Sequence, residues 1–249
     1  MKLNRDQELV CGINAVNEII KIRPDSVTNL LTGSKKGKRI QELEKLASNN
    51  NIEIAAQDSS FFSKNFSGMA HQSVAIICNK RLEENESFLD KIIKKDNLLL
   101  LILENITDPH NVGACIRSAA AAGVDAVVVP KNRSCHLTPT VRKISSGGAE
   151  LIPFIVVTNI VRTLNKLQAS GVTVYGTDME ASKAHNEITY DNKSALIIGS
   201  EDKGLKRLTL ENCNEIIKVS MPGKIESLNA SVSAGIMLFQ IINQKQTRV

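Results

Sequence analysis

The chain has 249 residues, a formal net charge of +5, two tyrosines, six phenylalanines and no tryptophan. This length allows one large domain or two modest ones with ample core. The mild positive charge permits a nucleic-acid partner without requiring one. Because aromatic side chains are scarce, a protein that binds single strands mainly by stacking bases is disfavoured.

The cysteine and histidine pattern argues against a metal site. The five cysteines are scattered and include no CxxC pair, and the four histidines fall at no metal-ligand spacing. Reduced thiols in a cytoplasmic protein fit this pattern best. The N-terminus lacks the apolar centre of a signal peptide, and no stretch approaches the ~18 apolar residues of a membrane span. We therefore expect a soluble cytoplasmic protein without metal.

Residues 1–78 predict a small α/β domain that binds the substrate. Apolar residues recur at helical spacing in 11–22 and 38–48, and strand patterns occupy 27–31, 52–55 and 74–78. The aromatic residues Phe61, Phe62 and Phe66 have a spacing more typical of a core than of RNA stacking.

A basic cluster precedes the second helix of this domain. It consists of Lys35, Lys36, Lys38 and Arg39. Four cations in one loop could bind RNA phosphates. They could equally form an ordinary solvated helix start, and both interpretations remain open.

Residues 79–96 are charge-dense with few apolar anchors, which is typical of a linker or connecting helix rather than of a core.

A second domain is predicted over 97–249. Its apolar strands at 152–157, 172–176, 195–199 and 216–219 alternate with helices, which predicts a parallel sheet with helices on both faces.

The second domain opens with a predicted strand–helix–strand unit. An unbroken apolar run at 98–103 is typical of a strand covered on both faces. Asp108 and Pro109 form a helix-start signal, Gly123 is a natural helix stop, and 126–129 is the next strand.

The helix of this unit carries Arg117 as its only charged residue between Val112 and Gly123. A surface helix normally has a polar face, so this helix should be covered on more than one side. A buried arginine there would need an acidic or phosphate partner. Arg117 is therefore either part of a structural ion pair or held at a site, with Asn111 near the carboxyl end of the strand, where open α/β sheets bind ligands.

Two further strand ends carry similar loops. Gly199, Glu201 and Gly204 lie in a turn after a buried strand, where glycine lets backbone approach a ligand. Residues 220–229 follow the next strand, with Ser227 or Asn229 placed to cap a helix over 230–242 that contains no charged residue. Two helices without a solvated polar face flank the same set of loops, which predicts a symmetric dimer, the alternative being that both are internal to a monomer.

Common nucleotide and nucleophile motifs are absent. No GxGxxG follows the first strand, and no GxxxxGK[ST] occurs, which argues against a dinucleotide-dependent oxidoreductase. Ser227 has no nearby His–Asp pair, so a serine hydrolase is not expected.

Three sequence blocks resemble the SpoU/TrmH-type RNA 2′-O-ribose methyltransferases of the SPOUT superfamily. They are DPHNVGACIRSAAAAGVDAVVVP at 108–130, ALIIGSEDKGL at 195–205 and VSMPGKIESLNASVSAG at 219–235. Residues 9–78 also resemble the RNA-binding domain that many members carry. The resemblance implies a deep trefoil knot in the C-terminal domain, a homodimer, S-adenosylmethionine as cofactor, and RNA as substrate.

The resemblance also assigns residues. Those implied to act in catalysis are Asn111, Arg117, Glu201, Ser227 and Asn229. Those implied to bind the cofactor are Thr177, Ile198, Gly199, Val219, Met221 and Leu228.

The resemblance implies methylation of a ribose 2′-hydroxyl, on a guanosine of large-subunit ribosomal RNA. A guanidinium is a poor proton acceptor, so we expect Arg117 to clamp phosphate and hydroxyl, Asn111 to orient the ribose, and Glu201 to hold Arg117 or Asn229. Alternatives are a transfer-RNA 2′-O-methyltransferase and a non-catalytic RNA-binding or ribosome-assembly protein that keeps the fold.

Overall fold

The computed structural model describes residues 3–34, 37–225 and 227–247. The chain forms two compact units, the first comprising residues up to Leu82 with Pro139–Leu151, and the second comprising Glu83–Thr138 with the chain from Ile152 onward. The segment 139–151, which the sequence assigns to the second domain, thus packs within the first unit.

The elements alternate between strand and helix along most of the chain. The first are β1 (Gln7–Cys11), α1 (Ile13–Ile22), β2 (Val27–Thr32), α2 (Lys38–Asn49), β3 (Glu53–Ala56), α3 (Ser59–Asn65) and β4 (Val74–Asn79), with a 3-10 turn at Pro24–Ser26. The others are α4 (Glu86–Ile92), β5 (Leu98–Leu103), α5 (Pro109–Ala121), β6 (Ala126–Pro130), α6 (Pro139–Ile144), α7 (Gly148–Leu151), β7 (Phe154–Val157), α8 (Ile160–Ala169), β8 (Thr173–Thr177), β9 (Lys183–Ala184), β10 (Lys193–Ile198), α9 (Arg207–Glu211), β11 (Glu215–Lys218) and α10 (Ala230–Gln246). None of the described helices is long and apolar enough to cross a bilayer.

The first unit contains a four-stranded sheet of order β1-β4-β2-β3, in which only β2 and β3 are parallel. Helices α1 and α2 cover one face. Phe62 and Phe66 cover the other from α3 and its end, both buried, so their predicted core role is confirmed. The sequence patterns did not reveal β1 or α3, because each is short.

A buried ion network fixes the segment 139–151 inside the first unit. Arg142 is 2% exposed, and its Nη1 lies 2.8 Å from Glu8 Oε1 and 2.9 Å from Glu150 Oε1. Arg23 Nε lies 2.8 Å from the other oxygen of Glu150. Burial raises the pKa of Glu8, whereas the charges of Arg142 and Arg23 lower it, and the net shift is upward. Buried charges that pair in this way are costly to separate, so the network ties α6 and α7 to β1.

The basic cluster of the first unit is described only in part. Lys35 and Lys36 lie outside the described residues. Lys38 and Arg39 begin α2 and are exposed, and Arg39 Nη2 donates to Asn14 Oδ1 at 2.6 Å. A contact of this cluster with RNA therefore stays a prediction.

The second unit contains a seven-stranded parallel sheet of order β7-β6-β5-β10-β8-β11-β9. This confirms the predicted parallel α/β architecture. All six residues of β5 are buried, as expected for a strand covered on both faces. Because every strand runs in one direction, the carboxyl ends of β5, β8, β10 and β11 meet at one edge.

The charge-dense segment 79–96 contributes to the core, contrary to the expectation that it only connects. Leu89 is 1% exposed and Ile92 is 7% exposed, and both belong to the core of the second unit. They lie three residues apart on one face of α4, and so two apolar anchors suffice to bury this short helix.

Helices α5 and α10 pack against each other in the second unit. Asp108 caps α5 through a bond from His110 N at 3.0 Å, and Gly123 follows with φ +69°, as predicted. Helix α10 continues beyond its predicted end to include Lys245, whose buried Nζ donates to the carbonyls of Asn192 at 2.7 Å and Leu98 at 3.1 Å.

Candidate active site

A cavity of about 270 Å³ opens at the carboxyl edge of the sheet, where β8, β10 and β11 lie side by side. The loops after these strands and the start of α10 form its wall. The described residues that line it include every residue predicted to bind the cofactor, namely Thr177, Ile198, Gly199, Val219, Met221 and Leu228, together with Glu201 and Ser227.

Gly199 makes the tight wall of this cavity possible. A Cβ at Gly199 would lie 2.2 Å from the carbonyl carbon of Gly204 and 2.5 Å from Leu205 N, both backbone atoms. The turn closes through Gly204 N, which donates to Ser200 O at 2.8 Å, and Gly204 has φ +59°. Only glycine allows such an approach, so Gly199 lets the turn pack closely at the wall of the cavity.

A buried carboxylate holds the far side of the same turn. Glu104, 1% exposed, follows β5 and accepts hydrogen bonds from Lys206 N at 3.0 Å and Thr209 Oγ1 at 2.9 Å. Lys206 Nζ lies 3.6 Å from Glu104. Three partners compensate the buried charge. The sequence patterns missed Glu104, although an acidic residue directly after a buried strand is a usable signal.

Asn111, Glu201 and Asn229 form one hydrogen-bonded cluster. Asn111 Nδ2 donates to Glu201 Oε1 at 3.1 Å, and Asn229 Nδ2 donates to Asn111 Oδ1 at 2.9 Å and also to Glu201 Oε1. Ala230 N donates to the same carboxylate oxygen at 3.0 Å. The three sequence blocks therefore meet at one point, although Asn111 is 90 residues from Glu201 and 118 residues from Asn229 along the chain.

Asn229 is the residue that caps α10. Its Oδ1 accepts from Ser231 N at 3.0 Å, so of the two predicted caps the structure selects Asn229 over Ser227. Glu201 at this helix start also lies where a helix dipole favours negative charge. The hydrogen bond between Asn229 and Glu201 thus orients both side chains.

Arg117 lies apart from this cluster. Its side chain is exposed, and it forms no hydrogen bond or ion pair with the residues that the structure describes. The structural ion pair considered from the sequence is therefore not found among them, and Glu201 is bonded to the two asparagines instead. Arg117 remains free to meet an anionic ligand.

Cys115, on the buried side of α5, is not a reactive group. Burial raises the pKa of its thiol to about 12, and the nearby charge of Glu201 raises it as well. A neutral thiol is neither a good nucleophile nor a proton acceptor. No group of histidine, cysteine and acidic side chains in the described parts of the chain could hold a metal ion.

The cavity has further lining residues that the sequence patterns missed. Asp178, Met179 and Lys203 belong to its loops, while Ser233 and Met237 face it from α10 one turn apart. The helical spacing of the last two could have revealed them once α10 was known to border the site.

The chemistry of the cavity fits S-adenosylmethionine. Ile198, Leu228 and Met221 offer apolar surface to an adenine ring or thioether chain, whereas the Gly199–Gly204 turn contributes polar and charged residues to the wall. Mostly apolar walls with a few placed polar groups are typical of small-molecule sites.

Two family models match the chain. The SpoU rRNA Methylase family matches residues 98–239, and the family of RNA 2′-O ribose methyltransferase substrate-binding domains matches residues 9–83. The first match contains all eleven predicted site residues.

Similar curated proteins are matched over almost their full length. The 23S rRNA (guanosine-2′-O-)-methyltransferase RlmB of Pseudomonas aeruginosa is 39% identical over 241 residues, covering 96% of this chain and 97% of the relative. The protein of the same name from Haemophilus influenzae is also 39% identical, covering 96% and 98%.

Solved structures share the fold at low identity. The SpoU methyltransferase AviRb from Streptomyces viridochromogenes, in complex with AdoMet, superposes with a TM-score of 0.80 at 22% identity, covering 98% of this chain and 95% of that one. A structure described as an RNA 2′-O ribose methyltransferase gives a TM-score of 0.82 at 21% identity, covering 97% and 90%. With a family model over the whole parallel-sheet region and relatives this similar end to end, the chain belongs to the SpoU rRNA methylase family.

Proposed function

We propose that this protein transfers a methyl group from S-adenosylmethionine to the ribose 2′-hydroxyl of a guanosine in 23S ribosomal RNA. The observation that carries the proposal is the cluster of Asn111, Glu201 and Asn229 beside a glycine-walled cavity. The activity named for the curated relatives supports the same substrate. On this proposal the protein acts in the cytoplasm.

S-adenosylmethionine, when bound, supplies a methyl group on a sulfonium centre. Ile198, Val219 and Leu228 would enclose it, with Thr177, Gly199 and Met221 completing the pocket. We propose that the segments around this pocket form the deep trefoil knot that the family resemblance implies, one of the rare exceptions to unknotted chains. The sheet order, with β10 between β5 and β8, is consistent with that path.

The residues around the cavity would align the ribose and stabilise charge. Asn111, held by Glu201 and Asn229, has a fixed orientation and would position the ribose. Ser227 lines the same cavity and would add a hydroxyl contact. Such alignment contributes on the order of 7–11 kcal/mol to rate enhancement.

Arg117 would bind the phosphate and the hydroxyl that becomes an alkoxide. A guanidinium stays protonated at physiological pH, so the hydroxyl proton would pass to solvent water, and Arg117 would stabilise the developing negative charge. Its exposed side chain, without a partner among the described residues, is available for this contact.

The first unit would supply RNA affinity. Its match to the substrate-binding family supports this role. Lys38 and Arg39 are exposed there and could contact phosphates.

The test combines cofactor binding with mapping of the product. We expect the purified protein to bind labelled S-adenosylmethionine and to methylate large-subunit RNA from a strain that lacks the gene, giving one new 2′-O-methylguanosine. Binding without transfer to any RNA would indicate a non-catalytic protein, and methylation confined to transfer RNA would replace the proposed substrate.

We further propose a homodimer formed through α5 and α10. Val232, Ile236 and Phe239 follow one another at helical spacing on α10 and are 47%, 37% and 44% exposed. No charged residue interrupts α10 between Ala230 and Ile242. We propose that this apolar surface packs against the same surface of a second copy, since symmetric dimers use the same patch on both subunits.

Replacing Ile236 by aspartate should convert this dimer to a monomer, because each interface would gain two buried, unpaired carboxylates. Analytical ultracentrifugation would measure the change. Leu208→Asp is the matched control, since Leu208 is 58% exposed on α9. A dimer unaffected by Ile236→Asp would contradict the proposed interface.

A further inference from the structure

The loop after β6 carries a second set of exposed cations at the edge of the sheet where the cavity opens. Lys131, Asn132 and Arg133 are exposed, and neither cation forms an ion pair with the described part of the chain. β6 is the parallel neighbour of β5, the strand that leads to Asn111. The loop 131–138 therefore borders the β5–α5 loop on the sheet edge.

A backbone hydrogen bond joins the 131–138 loop to the β5–α5 loop. Cys135 N donates to Ile106 O at 2.9 Å, and Ile106 lies between β5 and the Asp108 cap of α5. Asn105 and Arg133, one in each loop, have φ values of +58°, a left-handed conformation that is rare outside glycine. Strain of this kind persists where the surroundings fix it, and it concentrates at functional sites.

Two polar atoms in these loops lack a partner in the described structure. They are Asn105 Oδ1 and Ser134 Oγ, and both are buried. Buried polar atoms normally find a hydrogen bond, so unpaired ones call for a functional explanation. Because both atoms are buried, they mark the two loops as unusual, but they do not themselves contact RNA.

Hydrogen bonds of Glu83 and His136 link residues along the 131–138 loop. Glu83 Oε2 lies 2.9 Å from His136 Nδ1, its Oε1 accepts from Leu137 N at 2.8 Å, and His136 Nε2 lies 3.0 Å from Lys131 O. Both ring nitrogens face acceptors only, so both bonds form when the imidazole carries two protons. Burial lowers the pKa of His136, but the hydrogen bonds to Glu83 and to the Lys131 carbonyl raise it by more than burial lowers it. The net shift of the pKa is upward.

We propose that Lys131 and Arg133 bind backbone phosphates of the RNA segment next to the ribose that is methylated. Glu83 and His136 are positioning residues that hold the two cations in place. This inference rests on the proposed function, because it names how the same substrate is held. Two exposed cations on a rigid loop can neutralise two phosphates without selecting a base.

The test is the salt dependence of binding to an unmodified 23S rRNA transcript. The double variant Lys131→Ala/Arg133→Ala should weaken binding on the order of tenfold and lower the slope of log K against log salt by about 1 per cation removed. Affinity for S-adenosylmethionine should not change. Lys94→Ala is the matched control, since Lys94 is exposed but precedes β5 and lies at the other edge of the sheet.

His136→Ala should raise the KM for RNA and leave kcat unchanged, because a loosened loop affects RNA binding and not the reacting groups. A double variant whose salt slope equals that of Lys94→Ala would overturn the inference. This failure differs from that of the proposed function, which would appear as a wild-type protein that binds the transcript but does not methylate it.

Discussion

Arg117→Ala should lower the rate of methyl transfer about 1,000-fold and leave affinity for S-adenosylmethionine within about twofold of the wild type. The two effects separate because Arg117 is exposed on α5 and does not line the cavity. The substitution should not unfold the protein, since the side chain forms no hydrogen bond or ion pair with the described residues. Single-turnover transfer to unmodified rRNA and equilibrium binding of labelled cofactor would measure the two quantities.

Two further variants sharpen this result. Arg117→Lys keeps the charge but loses the planar fork that binds phosphate through two hydrogen bonds, so we expect only partial recovery of the rate. Arg207→Ala removes an arginine that is 86% exposed and, within the described parts of the chain, paired only with Glu211 one turn away, and it should transfer methyl at the wild-type rate. A fast Arg117→Ala enzyme would show that charge stabilisation comes from elsewhere.

The sequence predicted the parts of the fold that depend on local signals. The β5–α5 unit has an unbroken apolar strand, an Asp–Pro helix start and a glycine stop, and all three features are found in the structure. Each of these signals acts within a few residues, so no knowledge of distant contacts was needed.

Features that depend on distant contacts were not predictable in this way. The position of β10 between β5 and β8 is a property of the whole sheet. The packing of 139–151 in the first unit depends on Arg142 meeting both Glu8 and Glu150, which no spacing reveals. The burial of Leu89 depends on the surface that α4 finds, and its charged neighbours concealed this.

The candidate site shows the same division. The residues on its three loops were identified from blocks of sequence and from the family resemblance, and the cofactor-site residues do line one cavity. The partner of Glu201 was left open between Arg117 and Asn229, because sequence spacing does not give side-chain direction. The structure shows that Asn111 and Asn229 bond to Glu201. The role of Arg117 toward the substrate stays a prediction.

Gly199→Ala should abolish measurable binding of S-adenosylmethionine and lower the free energy of unfolding by about 1–3 kcal/mol. The added methyl group would lie 2.2 Å from the carbonyl carbon of Gly204 and 2.4 Å from its oxygen. Backbone atoms cannot rotate away as a flexible side chain can, so the whole 200–205 turn must shift. That turn carries Glu201 and forms one wall of the cavity, so the shift should remove the cofactor site.

Isothermal titration with S-adenosylmethionine and urea denaturation would measure the two effects separately. Gly223→Ala is the matched control, because a Cβ there meets no atom within 4 Å and Gly223 does not line the cavity. It should bind the cofactor within about twofold of the wild type, since a methyl group in open space causes no overpacking. A folded Gly199→Ala protein with wild-type affinity would mean that the cofactor does not occupy the space beside this turn, and the cavity would then lose its proposed role.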